Sequence, residues 1–179
     1  MKVTFNKKTI ETREGTTVSK LLKEEIEKSQ YQVVACRYNN EYMNLETEIN
    51  ENAKIELIDT HSKEGMKVYV RTLVYIMGKA FENLYPQEKL MVEYQLGNAM
   101  FCRCDRLEIT KEFIQKLKNK MQEIIDKNLK IEKVTMTREE AEKFFEKEHT
   151  SKGKLQIDLE NNNEIYMYYC EKYFNYCYG

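Results

Sequence analysis

Across residues 1–60, apolar positions first alternate with polar ones, then recur at helical spacing, then alternate again. Val3 and Phe5 sit between polar neighbours, Asn6, Lys7 and Lys8 read as a turn, and residues 9–12 follow with Ile10 as their apolar member, which predicts a hairpin. After Gly15, Val18, Leu21, Leu22 and Ile26 share one face of a helix of about ten residues, with Thr17 placed to cap it. Residues 32–38 contain the continuous apolar run Val33, Val34, Ala35, Cys36, which suits a central strand. The Asn39-Asn40 pair that follows tolerates the positive φ of a tight turn. Residues 41–45 and 54–58 supply two more strands, the second with Ile55 and Leu57 alternating against Lys54 and Glu56. Hairpin, one helix, then strands is the β-grasp order, in which a single amphipathic helix covers one face of a mixed sheet.

A polar stretch at residues 59–65 separates this pattern from a new one, so the expected domains are 1–60 and 61–179. From Met66 to about residue 83, Tyr69, Leu73, Ile76, Met77, Ala80 and Leu84 define a broad apolar helix face that ends before Tyr85-Pro86. Leu90, Val92 and Tyr94 then alternate with Met91, Glu93 and Gln95, and Gly97-Asn98 turns the chain into residues 99–103, a second hairpin. The clearest helix is capped by Thr110 and carries the stripe Phe113, Leu117, Met121, Ile124, Ile125. Residues 130–136 read as a strand, and Thr137 with Glu140 forms a capping box for a short helix with Ala141, Phe144 and Phe145. Residues 155–159 and 165–170 complete the pattern as strands around the Asn161-Asn162-Asn163 turn. The fold class is α+β, with helices set against an antiparallel sheet.

Charge narrows the functions this fold can serve. The 29 basic and 30 acidic residues leave a net charge of -1, which excludes nucleic-acid binding by bulk electrostatics but permits a local patch. Residues 111–133 hold seven Lys against four acidic residues, and Lys116, Lys118 and Lys120 are the candidate RNA contacts there, beside the simpler reading of a solvated helix face. The tyrosines and Phe174 within residues 166–178 read as half core and half strand surface, with base stacking as the alternative. No apolar run approaches the roughly 18 residues of a membrane span, and no signal-peptide core opens the chain, so a cytoplasmic protein with no membrane partner is expected. In that compartment Cys36, Cys102, Cys104, Cys170 and Cys177 are expected as free thiols, and their spacing is not that of a zinc ribbon. His61 and His149 read as solvated loop residues, so no metal site is expected.

Residues 14–18, the run Val34-Ala35-Cys36-Arg37-Tyr38-Asn39-Asn40, and Leu45 resemble the TGS domain, a ubiquitin-like β-grasp module at the front of threonyl-tRNA synthetases and of some GTPases and kinases. That resemblance implies regulation or RNA contact and supplies no catalytic residue. Most of residues 66–179 resembles the second additional domain of threonyl- and alanyl-tRNA synthetases, the module that hydrolyses mischarged tRNA. Its editing site needs two histidines one helical turn apart, a cysteine and a third histidine; at the matching positions stand Arg71, Tyr75 and Cys177, which implies a degenerate site and no catalytic residues. Residues 65–73, 93–98 and 173–179 also look like the front half of a bacterial uridine-kinase-like family. That likeness implies a regulatory region whose own C-terminal kinase domain, a nucleoside kinase using ATP and magnesium, lies beyond Gly179 and is cut off. Gly78-Lys79 and Gly153-Lys154 lack the following Ser or Thr of a P-loop, so no cofactor is expected in the chain itself. Three functions follow from these likenesses: the non-catalytic region of a uridine-kinase-like protein, a stand-alone module binding tRNA or other structured RNA, and an editing hydrolase, against which the missing histidines argue.

Overall fold

The computed structural model describes residues 1–97, 99–147 and 164–175, so the strand expected at 155–159, the turn at 161–163, His149, Tyr176, Cys177 and Tyr178 lie outside the description. Packing divides the chain into two units, Met1–Arg71 and Thr72–Gly179, the division falling inside a long helix.

The first unit is a β-grasp. Strands β1 (Lys2–Phe5) and β2 (Lys8–Glu11) pair with Val3 opposite Ile10. Asn6 and Lys7 turn the chain at φ 47 and 65, the twist a two-residue hairpin requires. A short β3 (Thr16–Thr17) leads into α1 (Val18–Leu21) and α2 (Lys23–Glu27), followed by β4 (Val33–Tyr38), β5 (Glu41–Met43), β6 (Glu48–Ile49) and β7 (Ala53–Asp59). The main sheet runs β2-β1-β7-β4-β5, with β1 parallel to β7 and the other pairs antiparallel. Val3, Val18, Leu22, Cys36, Ile49 and Ile55 form its core.

Two sequence expectations hold at atomic detail here. Thr17 Oγ1 accepts from the Lys20 amide, and Asn39 and Asn40 stand at φ 47 and 73. The single helix does not hold. It breaks at Leu22, whose φ of -108 and ψ of 25 end α1 and begin α2. Leu22 is fully buried, so core packing overrides the helix propensity of a chain that reads as continuous. Burial also pushes the Cys36 thiol up to about 11, and its Sγ donates to the Met43 and Asn44 carbonyls, which makes it a packing group rather than a nucleophile.

Helix α3 (Lys63–Leu84) begins three residues before the predicted Met66. Ser62 Oγ accepts from the Gly65 amide and donates to the Asp59 carbonyl, a cap hidden within the polar stretch. In the second unit Ile76, Ala80 and Phe81 of α3 pack against Cys104 and against α4 (Lys111–Asp126) through Phe113, Leu117 and Ile124. Between these helices β8 (Met91–Leu96) and β9 (Ala99–Arg103) form a separate two-stranded ribbon with a bulge between Val92 and Tyr94. Its alternation does not mark a buried face, since Tyr94 is 53% and Leu96 74% exposed. The stripe on α4 is likewise narrower than predicted: Ile125 is 42% exposed.

Strand β10 (Glu132–Thr137) runs into α5 (Arg138–Lys147) through the predicted capping box. The Thr137 amide donates to Glu140 Oε2 at 2.8 Å, and the Glu140 amide donates to Thr137 Oγ1 at 3.2 Å. Phe145's side chain lies outside the description. β11 (Glu164–Cys170) pairs antiparallel with β10 and with β12 (Tyr173–Asn175). One face of this sheet, with Ile165 and Met167, packs on Ala141 and Phe144 of α5; the other, with Cys170 and Tyr173, packs on Tyr75 of α3. Among the described residues no helix is long and apolar enough to cross a membrane.

Candidate nucleic-acid interface

Helix α4 places the candidate lysines. Thr110 Oγ1 accepts from the Phe113 amide at 3.1 Å and starts the helix, and burial of Phe113, Leu117 and Ile124 turns the remaining positions to solvent. Lys116 is held by Glu112 at 2.8 Å and Lys120 by Glu123 at 2.6 Å, so two of the three predicted contacts already have anionic partners. Hydrogen bonding to Glu112 pushes Lys116 upward from its ordinary value and holds Glu112 down. Such exposed pairs are weak and exchange readily for another anion. Lys118 is exposed and, like Lys111, forms no ion pair among the described residues. It shares its helix face with Ile114, 44% exposed, and Ile125.

The positions matched to editing histidines belong to α3, where Arg71 precedes Tyr75 by one turn. Tyr75 is 3% exposed, and its hydroxyl reaches the Tyr168 carbonyl at 3.1 Å and the Tyr173 carbonyl at 3.2 Å. The Tyr75 and Tyr173 rings meet edge-on with centroids 5.1 Å apart. One turn further on, Lys79 is buried, and its Nζ donates to the Cys170 carbonyl and to Glu171 Oε2, both at 2.9 Å. Gly78 lies between them because a Cβ there would collide with the Tyr173 hydroxyl. Cys177, the third matched position, lies outside the described residues.

Lys79 is the residue that sequence reasoning missed. Little in the pattern signals it: Lys79 stands four residues after Tyr75, and neither belongs to the apolar stripe of Tyr69, Leu73, Ile76, Met77, Ala80 and Leu84. A charge buried there needs a partner, and the β11–β12 turn supplies one. Glu171 holds φ 55, a left-handed conformation unusual for a side chain of its size, and the hydrogen bond and charge of Lys79 hold its carboxyl below the ordinary carboxylate range. A depressed folded value means that the pair stabilises the fold above the unfolded carboxylate pKa and loses that contribution as pH falls through the folded one. Wild type should therefore be more stable than Glu171→Gln at neutral pH, and that margin should shrink as acid is added below about pH 4.5. Urea midpoints across an acid series check this, and a margin that is constant with pH would sink it.

Among the described residues no group of three or more His, Cys, Asp or Glu could hold an ion. Cys104 is buried with the α4 cluster and Cys170 with Tyr75, while burial pushes the Cys102 and Cys170 thiols upward. His61 stacks on Tyr31, centroids 4.7 Å apart.

Residues 2–61 match the ThiS family, consistent with the β-grasp sheet. The chain is also similar to threonine–tRNA ligases. That of Clostridium kluyveri is 32% identical over 137 residues, 75% of this chain and 22% of the ligase. That of Clostridium tetani is 29% identical over 175 residues, 96% of this chain and 27% of the ligase. A probable cytoplasmic threonine–tRNA ligase of Enterocytozoon bieneusi is 32% identical over 151 residues, 82% of this chain and 23% of that protein. The chain thus spans about a quarter of the length of these curated relatives.

These likenesses correct the uridine-kinase reading. The relatives are named as tRNA ligases, and nothing in them supports a nucleoside-kinase parent or a kinase domain as partner. Within the described residues, the segments that suggested a kinase cover the start of α3, the end of β8 and β12. Such local helix and turn patterns belong to the module and do not report what it is attached to.

Proposed function

We propose that this chain is a tRNA-contacting module of the kind that fronts threonyl-tRNA synthetases, and that it binds without hydrolysing. The reading rests on similarity to threonine–tRNA ligases that runs through both units, over 96% of the chain in the Clostridium tetani case. The absence of hydrolysis is argued from Tyr75, whose hydroxyl is tied to two strand carbonyls where an editing domain would need a water-activating imidazole. The cytoplasm, where the Enterocytozoon bieneusi relative is named as residing, is the compartment in which we place it.

In this reading α4 meets the phosphate backbone. Lys118 enters such contacts without first leaving a carboxylate, whereas Lys116 and Lys120 must exchange Glu112 and Glu123 for phosphate. Fluorescence anisotropy with labelled tRNA should show binding that weakens as salt rises, and Lys118→Ala should reduce the logarithmic salt slope by about 1. No binding at low salt would remove the proposal. Incubation with mischarged tRNA should release amino acid no faster than buffer alone, and faster release would overturn the non-hydrolytic half.

A further inference from the structure

The β8–β9 ribbon holds several large apolar side chains exposed. Neither strand contributes a buried residue. Tyr94 and Phe101 are cross-strand partners, 53% and 46% exposed, and their rings lie nearly parallel at 12° with centroids 4.9 Å apart. Leu96 at the tip is 74% exposed. An isolated two-stranded ribbon is marginal in water, and large apolar side chains held out on one mark a surface that something covers.

The charges on the ribbon limit what that something is. Arg103 falls on the same face as Phe101, two residues along the strand, but its guanidinium is engaged by Glu93 at 2.8 Å and by Asp105. The ribbon therefore offers flat π faces with no spare positive charge: it can stack bases and has little with which to grip phosphate. Positive charge lies on a neighbouring element. Leu90 and Cys104, immediately outside the two strands, pack in the same cluster as Phe113, Leu117 and Ile124 of α4. The residues flanking the ribbon thus pack with the helix that carries Lys111 and Lys118, which form no ion pair among the described residues.

We propose that Tyr94 and Phe101 form a stacking platform for unpaired nucleotides of an RNA whose backbone is held by α4; this rests on the tRNA-contacting reading above. Stacking tolerates any base, because every base has a π face, and it contributes little to the salt dependence that phosphate contacts set. The two elements therefore leave different signatures on one binding curve.

The chain contains no Trp, so Tyr94→Trp installs a single indole at the platform. Its fluorescence should be quenched by a mixed-sequence single-stranded RNA of about 12 nucleotides and not by a blunt duplex of the same length. The double variant Tyr94→Ser, Phe101→Ser should weaken single-strand binding about tenfold with the salt slope unchanged. Tyr94→Phe, which keeps the ring, should bind as wild type does, and Lys118→Ala should lower the slope while keeping the quench in a Tyr94→Trp background. If anisotropy reports single-strand binding without a quench, or if the double serine variant binds as wild type, the platform is overturned and the tRNA reading survives. If wild type binds neither tRNA nor the single strand at low salt, both fall. If the serine variant abolishes a dimer seen by sedimentation and leaves RNA affinity intact, the face is a contact between copies and the proposal is overturned.

Discussion

Tyr75→Ala should destabilise the second unit by about 3–5 kcal/mol, the range for removing a large buried aromatic side chain. The ring is 3% exposed and packs edge-on against Tyr168 and Tyr173, so its loss opens a cavity beneath the sheet. Its hydroxyl adds a second contribution, because it reaches the carbonyls of both Tyr168 and Tyr173. Tyr75→Phe, which keeps the ring and deletes only the hydroxyl, should lose about 1–3 kcal/mol, the range for leaving a buried polar partner unsatisfied. Urea unfolding of the full chain, with hydrogen exchange at the β11 and β12 amides, separates the two variants. Equal losses would mean that the ring contributes nothing, and a loss below about 1 kcal/mol for alanine would mean that α3 does not anchor the sheet through this residue.

The same anchor shows what the sequence made legible. Polar side chains that act on their own neighbourhood were readable: Thr17, the Asn39-Asn40 pair and the Thr137–Glu140 box each work within about four residues, and each is found where the pattern placed it. Contacts between distant segments were not. The Tyr75 hydroxyl bonds residues 93 and 98 positions away, and Lys79 meets Cys170 across 91. β12 was hidden because its turn is made by Glu171 and not by the Gly or Asn that normally signals positive φ. Leu22 breaks a helix whose periodicity is unbroken, because the cavity it fills belongs to the sheet above.

The candidate interface was legible in composition and not in pairing. The lysine excess of residues 111–133 is real, but Glu112 and Glu123 stand at the four- and three-residue spacings that let them take Lys116 and Lys120. The ribbon reads as an ordinary half-buried hairpin, because an apolar and polar alternation is blind to whether anything packs on the apolar side.

Gly78→Ala sets two known effects against each other. Alanine inside a helix is favoured over glycine by about 0.8–1.0 kcal/mol, so on an open face the change would stabilise α3. Here the new Cβ meets the hydroxyl of Tyr173, a ring that is 3% exposed and whose Oη also accepts from Asn175 Nδ2 at 2.7 Å. Moving that ring disturbs β12 and the sheet face against Tyr75, and overpacking of this kind costs about 1–3 kcal/mol. The clash should win, giving a net loss of up to about 2 kcal/mol after the propensity gain is subtracted. Tyr173→Phe removes the colliding oxygen and leaves the nearest ring carbon at 3.4 Å, so the two changes together should be less damaging than their sum. A double-mutant cycle by urea unfolding reads that coupling directly. Additive losses would show that Tyr173 yields freely, and a stabilised Gly78→Ala would show that the helix and the β11–β12 hairpin are not in the close contact that binds Tyr75 and Lys79 to it.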